Sequence, residues 1–164
     1  MNKNKSITRF YNVLFPVWFF FFYPTPLWLL VLAGNFLVDL GVVYFGSRKL
    51  KAEDPKGICR KSILKVCVIG FFSDFLGAAL LFLMFLGVSL FDAHVARVTF
   101  DVARGFNCVL FSIPGLIVSG LLIYHLNKRF SFNDTELKRA QIRRLCFWLA
   151  VITAPYLMLL PTYW

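Results

Sequence analysis

Apolar positions in this chain come in long blocks, and the basic positions gather in short stretches between them. The block from Trp28 to Gly46, WLLVLAGNFLVDLGVVYFG, shows no polar stripe of the kind that would mark a soluble amphipathic helix. Its length and composition predict a membrane-spanning helix over 27–46, with Asn35 and Asp39 held inside it. Comparable blocks predict further spans over 62–91, 105–126 and 145–163. The earlier block, Phe10 to Tyr23, is different, because as a helix it reaches only about 21 Å and a bilayer core is roughly 30 Å thick. Pro24 and Pro26 then stop any helix, since neither has an N–H to donate. Two arrangements of 10–23 stay open. It either enters from the cytoplasm and turns back at Pro24-Thr25-Pro26 as a re-entrant helix, or lies along the outer interface with the N-terminus outside. The first keeps Lys3, Lys5 and Arg9 in the cytoplasm and is preferred. The phenylalanines at 19–22 read as lipid-facing surface.

The polar interruptions have distinct characters. Residues 47–61, SRKLKAEDPKGICRK, predict a basic loop turning at Asp54-Pro55-Lys56-Gly57. Residues 92–104 place Val95, Val98 and Val102 on one helical face and His94, Arg97, Asp101 and Arg104 on another. That pattern predicts an amphipathic helix lying in the outer interface, with Asp101 within pairing distance of both arginines. In the loop 130–144, Asn133 followed by Glu136 resembles a capping box. It predicts a helix carrying Lys138, Arg139, Arg143 and Arg144 into the membrane at Leu145, bent at Pro155 and Pro161, with Tyr163-Trp164 at the outer interface. The expected fold is therefore an all-α integral membrane protein. It has four transmembrane helices, a short N-terminal re-entrant or interfacial helix and an outer amphipathic helix, in a single domain.

Charge sharpens the topology. The 164 residues are 59% hydrophobic with a net charge of +10, against about 45–50% apolar in a soluble domain. With the N-terminus inside, 16 of the 18 Lys and Arg fall in the cytoplasm and only Arg97 and Arg104 outside. Basic clusters flanking hydrophobic spans predict contact with anionic lipids at the cytoplasmic face and argue against nucleic acid as a partner. The basic-then-apolar opening has the outline of a signal peptide. No small-residue cleavage motif follows it, so it is expected to be retained.

Candidate chemistry is sparse. Asp39 lies seven residues from Gly46 and Asp74 nine from Lys65, so both sit about 10–14 Å inside the cytoplasmic boundary. Two carboxylates at one depth, beside Asn35 and Ser73, could meet between helices, and at least one of them is expected to carry its proton. Such a patch serves either as interhelical polar glue or as a proton or cation site. The glue reading is preferred, because no internal repeat or pair of discontinuous helices marks a transporter. The face His94–Arg97–Asp101–Arg104 could bind an anionic headgroup or partner, or simply pair with itself in water. His125, beside Tyr124, reads as an interfacial residue at a helix C-terminus. Cys59, Cys67, Cys108 and Cys146 have neither CxxC spacing nor histidines at metal-site intervals, so free thiols are expected and no metal or cofactor. Neither HExxH nor GxSxG occurs.

The segments FPVW (15–18), AGNFLVD (33–39) and TAPYLMLLPT (153–162) resemble a family of small uncharacterised polytopic membrane proteins of Gram-positive bacteria. The resemblance implies a bacterial inner-membrane location and no particular activity. Three classes of function follow. The leading expectation is a small non-enzymatic accessory or scaffold protein that protects or assembles a membrane partner or a second copy of itself. The alternative is a small transporter or channel subunit using Asp39 and Asp74. A membrane enzyme comes third, for want of a nucleophile with a base beside it.

Overall fold

The computed structural model describes residues 27–92 and 106–159, and every regular element among them is helical. The expected re-entrant segment 10–23, the interfacial helix from 93 to 104 and the terminal Pro161, Tyr163 and Trp164 lie outside the described residues. Four α-helices follow in order: α1 (Leu27–Lys49), α2 (Pro55–Phe91), α3 (Phe106–Leu126) and α4 (Arg139–Ile152). A wide turn of π-helix, Asn127–Ser131, extends α3, and a 3₁₀ turn, Tyr156–Leu159, follows α4.

Helix α1 holds 23 residues, about 34 Å at helical rise, which is enough to cross an apolar core. Its last turn carries Arg48 and Lys49, suited to the negative end of the helix dipole. Helix α2 begins at Pro55 rather than at the expected residue 62, because Asp54-Pro55 is a helix start and not the middle of a loop. Proline occupies the first helical position, where a missing N–H costs nothing, and the Asp54 carboxylate accepts from Gly57 N at 2.9 Å. With 37 residues, α2 is about 55 Å long. Helix α3 runs through Pro114 without interruption. It then widens where the Asn127 side chain turns back on it. Asn127 Nδ2 donates to Ile123 O at 2.9 Å, and Ser131 Oγ donates to Asn127 Oδ1 at 2.5 Å.

Two expectations at the C-terminal end are corrected. Asn133 and Glu136 do not cap a helix. Phe132 and Leu137 are instead drawn into the core, the segment between them turns, and α4 starts after Lys138. There Lys138 N donates to Gln141 Oε1 at 2.9 Å, while Gln141 Nε2 donates to Leu50 O at 2.9 Å and ties the two basic loops together. The helix expected over 145–163 is interrupted within its described part, which ends at Leu159. Helix α4 has 14 residues, about 21 Å, and ends where Thr153 bonds back through both N and Oγ1 to Leu149 O and Pro155 removes a donor. Among the described residues, three helical segments are long and apolar enough to cross a membrane: Leu29–Lys49, Pro55–Phe91 and Val109–Ser131.

Helix α2 packs along both α1 and α3, and α4 leans on both of these at the basic end. One apolar cluster, built from Val43, Val66, Ile123, Phe132, Leu145 and Leu149, fills that end. A second, around Ala78, Leu81 and Met158, lies further along α2. The outer surface is apolar as well: Leu30 is 70% exposed, Leu64 71%, Val68 68%, Leu83 64% and Ile117 54%. Side chains of this kind around a whole bundle need lipid as their solvent. Together with the three helices long and apolar enough to cross a bilayer, they are compatible with a membrane protein.

Candidate functional site

Between the two apolar clusters lies a layer of buried polar and small residues. On α2, Cys67, Gly70, Ser73, Asp74 and Gly77 fall between Val66 and Ala78. On α3, Ser112, Gly115 and Ser119 share a face by their spacing of three and four. Helix α1 contributes Asp39, and Thr153 reaches in from the end of α4.

The glycines explain how polar atoms of α2 and α3 come within bonding distance. A Cβ on Gly77 would stand 2.7 Å from Gly115 O and 2.9 Å from Ser119 Oγ, and one on Gly115 would stand 2.7 Å from Leu81 Cγ. Only hydrogen fits at this crossing. The close approach lets Ser119 Oγ sit 2.7 Å from Ser73 O and 3.1 Å from Asp74 Oδ1. A hydroxyl has one proton, and the shorter contact takes it. Every group is then satisfied when Asp74 is protonated and donates to Ser119 Oγ, giving the chain Asp74 to Ser119 to Ser73 O. Ser73 therefore joins the site through its carbonyl, because its hydroxyl donates to Ile69 O at 2.7 Å within α2.

Asp39 is 3% exposed and Asp74 2%, so both carboxyl groups are inside the bundle. Asp39 faces the Cys67 thiol and the Thr153 hydroxyl, with Oδ2 lying 3.6 Å from where a Gly70 Cβ would be. Gly70 lies one turn before Asp74 on α2, so the two carboxyl groups belong to one patch. Asn35, one turn before Asp39, is half-exposed and makes no hydrogen bond to either carboxyl group among the described residues.

Of the four residues the sequence singles out for this patch, Asp39, Asp74 and the Ser73 carbonyl are brought together, and Asn35 is left at the edge. Ser119, Cys67 and Thr153 were missed. Ser119 had a legible signal, since Gly115-x-x-x-Ser119 is a small-residue pair four apart. Thr153 had none, because it reaches Asp39 only where α4 breaks. His94, Arg97, Asp101 and Arg104 lie outside the described residues. His125 is exposed in the last turn of α3, its ring edge-on to Tyr124. Cys59, Cys67 and Cys146 are free thiols, and no group of three metal-ligating side chains occurs among the described residues.

At the basic end a cavity of about 360 Å³ lies between the two loops, lined by Lys51, Glu53, Lys61, Glu136 and Lys138 among others. Its charges are of both signs, and Gln141 bridges its wall. Nearby, Lys65 Nζ pairs with Asp134 Oδ2 at 2.5 Å across an exposed surface. The hydrogen bond and charge of Lys65 hold the Asp134 carboxyl below the usual carboxylate range. Neither this cavity nor the open groove between α1 and α2 is lined by Asp39 or Asp74. Compared with protein-family models, curated proteins and solved structures, the chain matches none.

Proposed function

We propose that this chain is a non-enzymatic accessory or scaffold protein of the bacterial cytoplasmic membrane, in which Asp39 and Asp74 are structural. One observation carries the reading: Asp74 is bonded across a glycine crossing to Ser119, inside the bundle, and neither described cavity reaches it. A carboxyl held this way locks α2 to α3, and a hydrogen bond of that kind adds roughly 1 kcal/mol in membrane bundles. The apolar exterior is then the working surface, available to lipid, to a membrane-protein partner or to a second copy of the chain.

The basic loops, which join α1 to α2 and α3 to α4, lie at one end and face the cytoplasm under the positive-inside rule. The N-terminus is cytoplasmic too. A fourth crossing, made by α4 and the residues after Thr153, takes the C-terminus outside. The Gram-positive family resemblance agrees with this location.

Reconstitution into liposomes with an internal pH dye tests the assignment. The expected result is no proton flux above empty liposomes, and no change on Asp39→Asn. Flux that Asp39→Asn abolishes would overturn the scaffold reading in favour of a proton or cation pathway through Asp39 and Asp74. Two carboxyl groups buried in one patch are what favours this second reading. Sidedness is read separately: a cysteine placed at exposed Lys138 should be labelled only after the membrane is opened.

A further inference from the structure

The outer surface of the α1–α2 pair carries an open groove of about 470 Å³ at the basic end. Its walls are two helical stripes. Leu37, Gly41 and Phe45, spaced by four, come from α1, and Lys56, Arg60 and Ile63, spaced by four and three, come from the start of α2. A Cβ on Gly41 would touch nothing within 4 Å, so the missing side chain is part of what hollows the groove. Leu37 and Phe45 are each 66% exposed along it. Lys56 and Arg60 are exposed, share one side of the first turns of α2, and form no ion pair among the described residues. The groove thus has an apolar trough and a doubly cationic rim.

We propose that this groove binds one anionic phospholipid, its acyl chain along Leu37, Gly41 and Phe45 and its phosphate between Lys56 and Arg60. A peptide or soluble anion suits it less, because the trough offers few polar partners and only a lipid combines a long apolar tail with a charge at its end. Basic pockets between membrane helices select anionic headgroups in this way. The proposal rests on the reading of the chain as a membrane protein whose basic end faces the cytoplasm. It does not depend on the role of Asp39 and Asp74.

Native mass spectrometry of the detergent-purified protein, titrated with dioleoyl phosphatidylglycerol or dioleoyl phosphatidylcholine, tests it. Wild type should retain one phosphatidylglycerol in preference to phosphatidylcholine. Two surface cations contribute enough that Lys56→Gln with Arg60→Gln should weaken phosphatidylglycerol binding about tenfold or more. Gly41→Leu should abolish the preference by filling the trough. Arg143→Gln with Arg144→Gln, two exposed cations elsewhere, should leave it unchanged. Equal losses in the two charge-neutralised proteins, or wild-type retention by a monodisperse Gly41→Leu protein, would overturn the site. The Lys56/Arg60 pair is exposed, so its variant reports on binding even if Gly41→Leu fails to fold. Binding in detergent has no sidedness, so a reversed topology would appear in the labelling experiment and not here.

Discussion

Replacing Gly77 by alanine should weaken the bundle at its tightest point. The new Cβ would lie 2.7 Å from Gly115 O and 2.9 Å from Ser119 Oγ. The first of these is backbone and cannot swing aside, so α2 and α3 must separate by several tenths of an ångström. Overpacking of this kind costs about 1–3 kcal/mol. The separation also stretches the Ser119–Asp74 contact, already 3.1 Å, and a weakened buried hydrogen bond adds about 0.5–1.5 kcal/mol. Against this, alanine is a better helix former than glycine by about 0.8–1 kcal/mol. The net expectation is a loss of about 0.5–3.7 kcal/mol. The control is Gly87→Ala on the same helix, where the added methyl meets nothing within 4 Å among the described residues and only the propensity gain remains. Gly115→Ala should also be destabilising relative to Gly87→Ala, because its Cβ would stand 2.7 Å from Cγ of the fully buried Leu81 and 3.0 Å from Gly77 O. Equilibrium unfolding in mixed micelles, with rising denaturing detergent and helicity as the readout, gives the three values. If Gly77→Ala matches Gly87→Ala, the close crossing does not exist and the account of the Asp74–Ser119 bond fails with it.

Asp39→Asn should yield a folded protein, since an amide can both donate and accept, whereas Asp39→Leu should be destabilised by stranding the groups around it, read in the same unfolding assay. An infrared carbonyl band from a protonated buried carboxyl should be present at neutral pH and disappear in Asp74→Asn; its absence from wild type would refute the Asp74-to-Ser119-to-Ser73 proton order. The Lys65–Asp134 pair should contribute stability that is fully present above the ordinary Asp pKa of about 3.9 and is lost as pH falls through the lowered folded value. Lys65→Gln should remove that acid-limb dependence. Gln141→Ala removes both the Lys138 cap and the bond to Leu50 O. It should cost about 1–2 kcal/mol and speed amide exchange at 138–142.

What the sequence could and could not reveal divides along physical lines. The apolar blocks place α1 and α3 closely, because lipid demands length and hydrophobicity and both are local properties. The start of α2 is not legible because Asp-Pro suits a turn and a helix cap equally well, and only Gly57 N meeting the Asp54 carboxylate decides between them. The false cap at Asn133 has a related cause. Its local pattern is sound, but burying Phe132 and Leu137 outweighs it. In the polar layer the two aspartates stand out from any apolar background. Their partners do not, since a serine or threonine in a membrane helix usually bonds its own preceding turn, as Ser62, Ser73 and Ser89 do here.

The shortness of α4 bears on the order in which the molecule is assembled. Its 14 residues open with Arg139, Gln141, Arg143 and Arg144, so no stretch of it would leave the aqueous channel of the insertion machinery for lipid unaided. Its apolar side chains find a home only once Gly46 and Ile123 are in place to receive Leu145, Trp148 and Leu149. The carbonyls released at its end are covered locally, Leu149 O by Thr153 and Val151 O by the Tyr156 hydroxyl. The first three helices can therefore enter the bilayer one after another on their own merits, while the fourth is admitted only by the finished bundle.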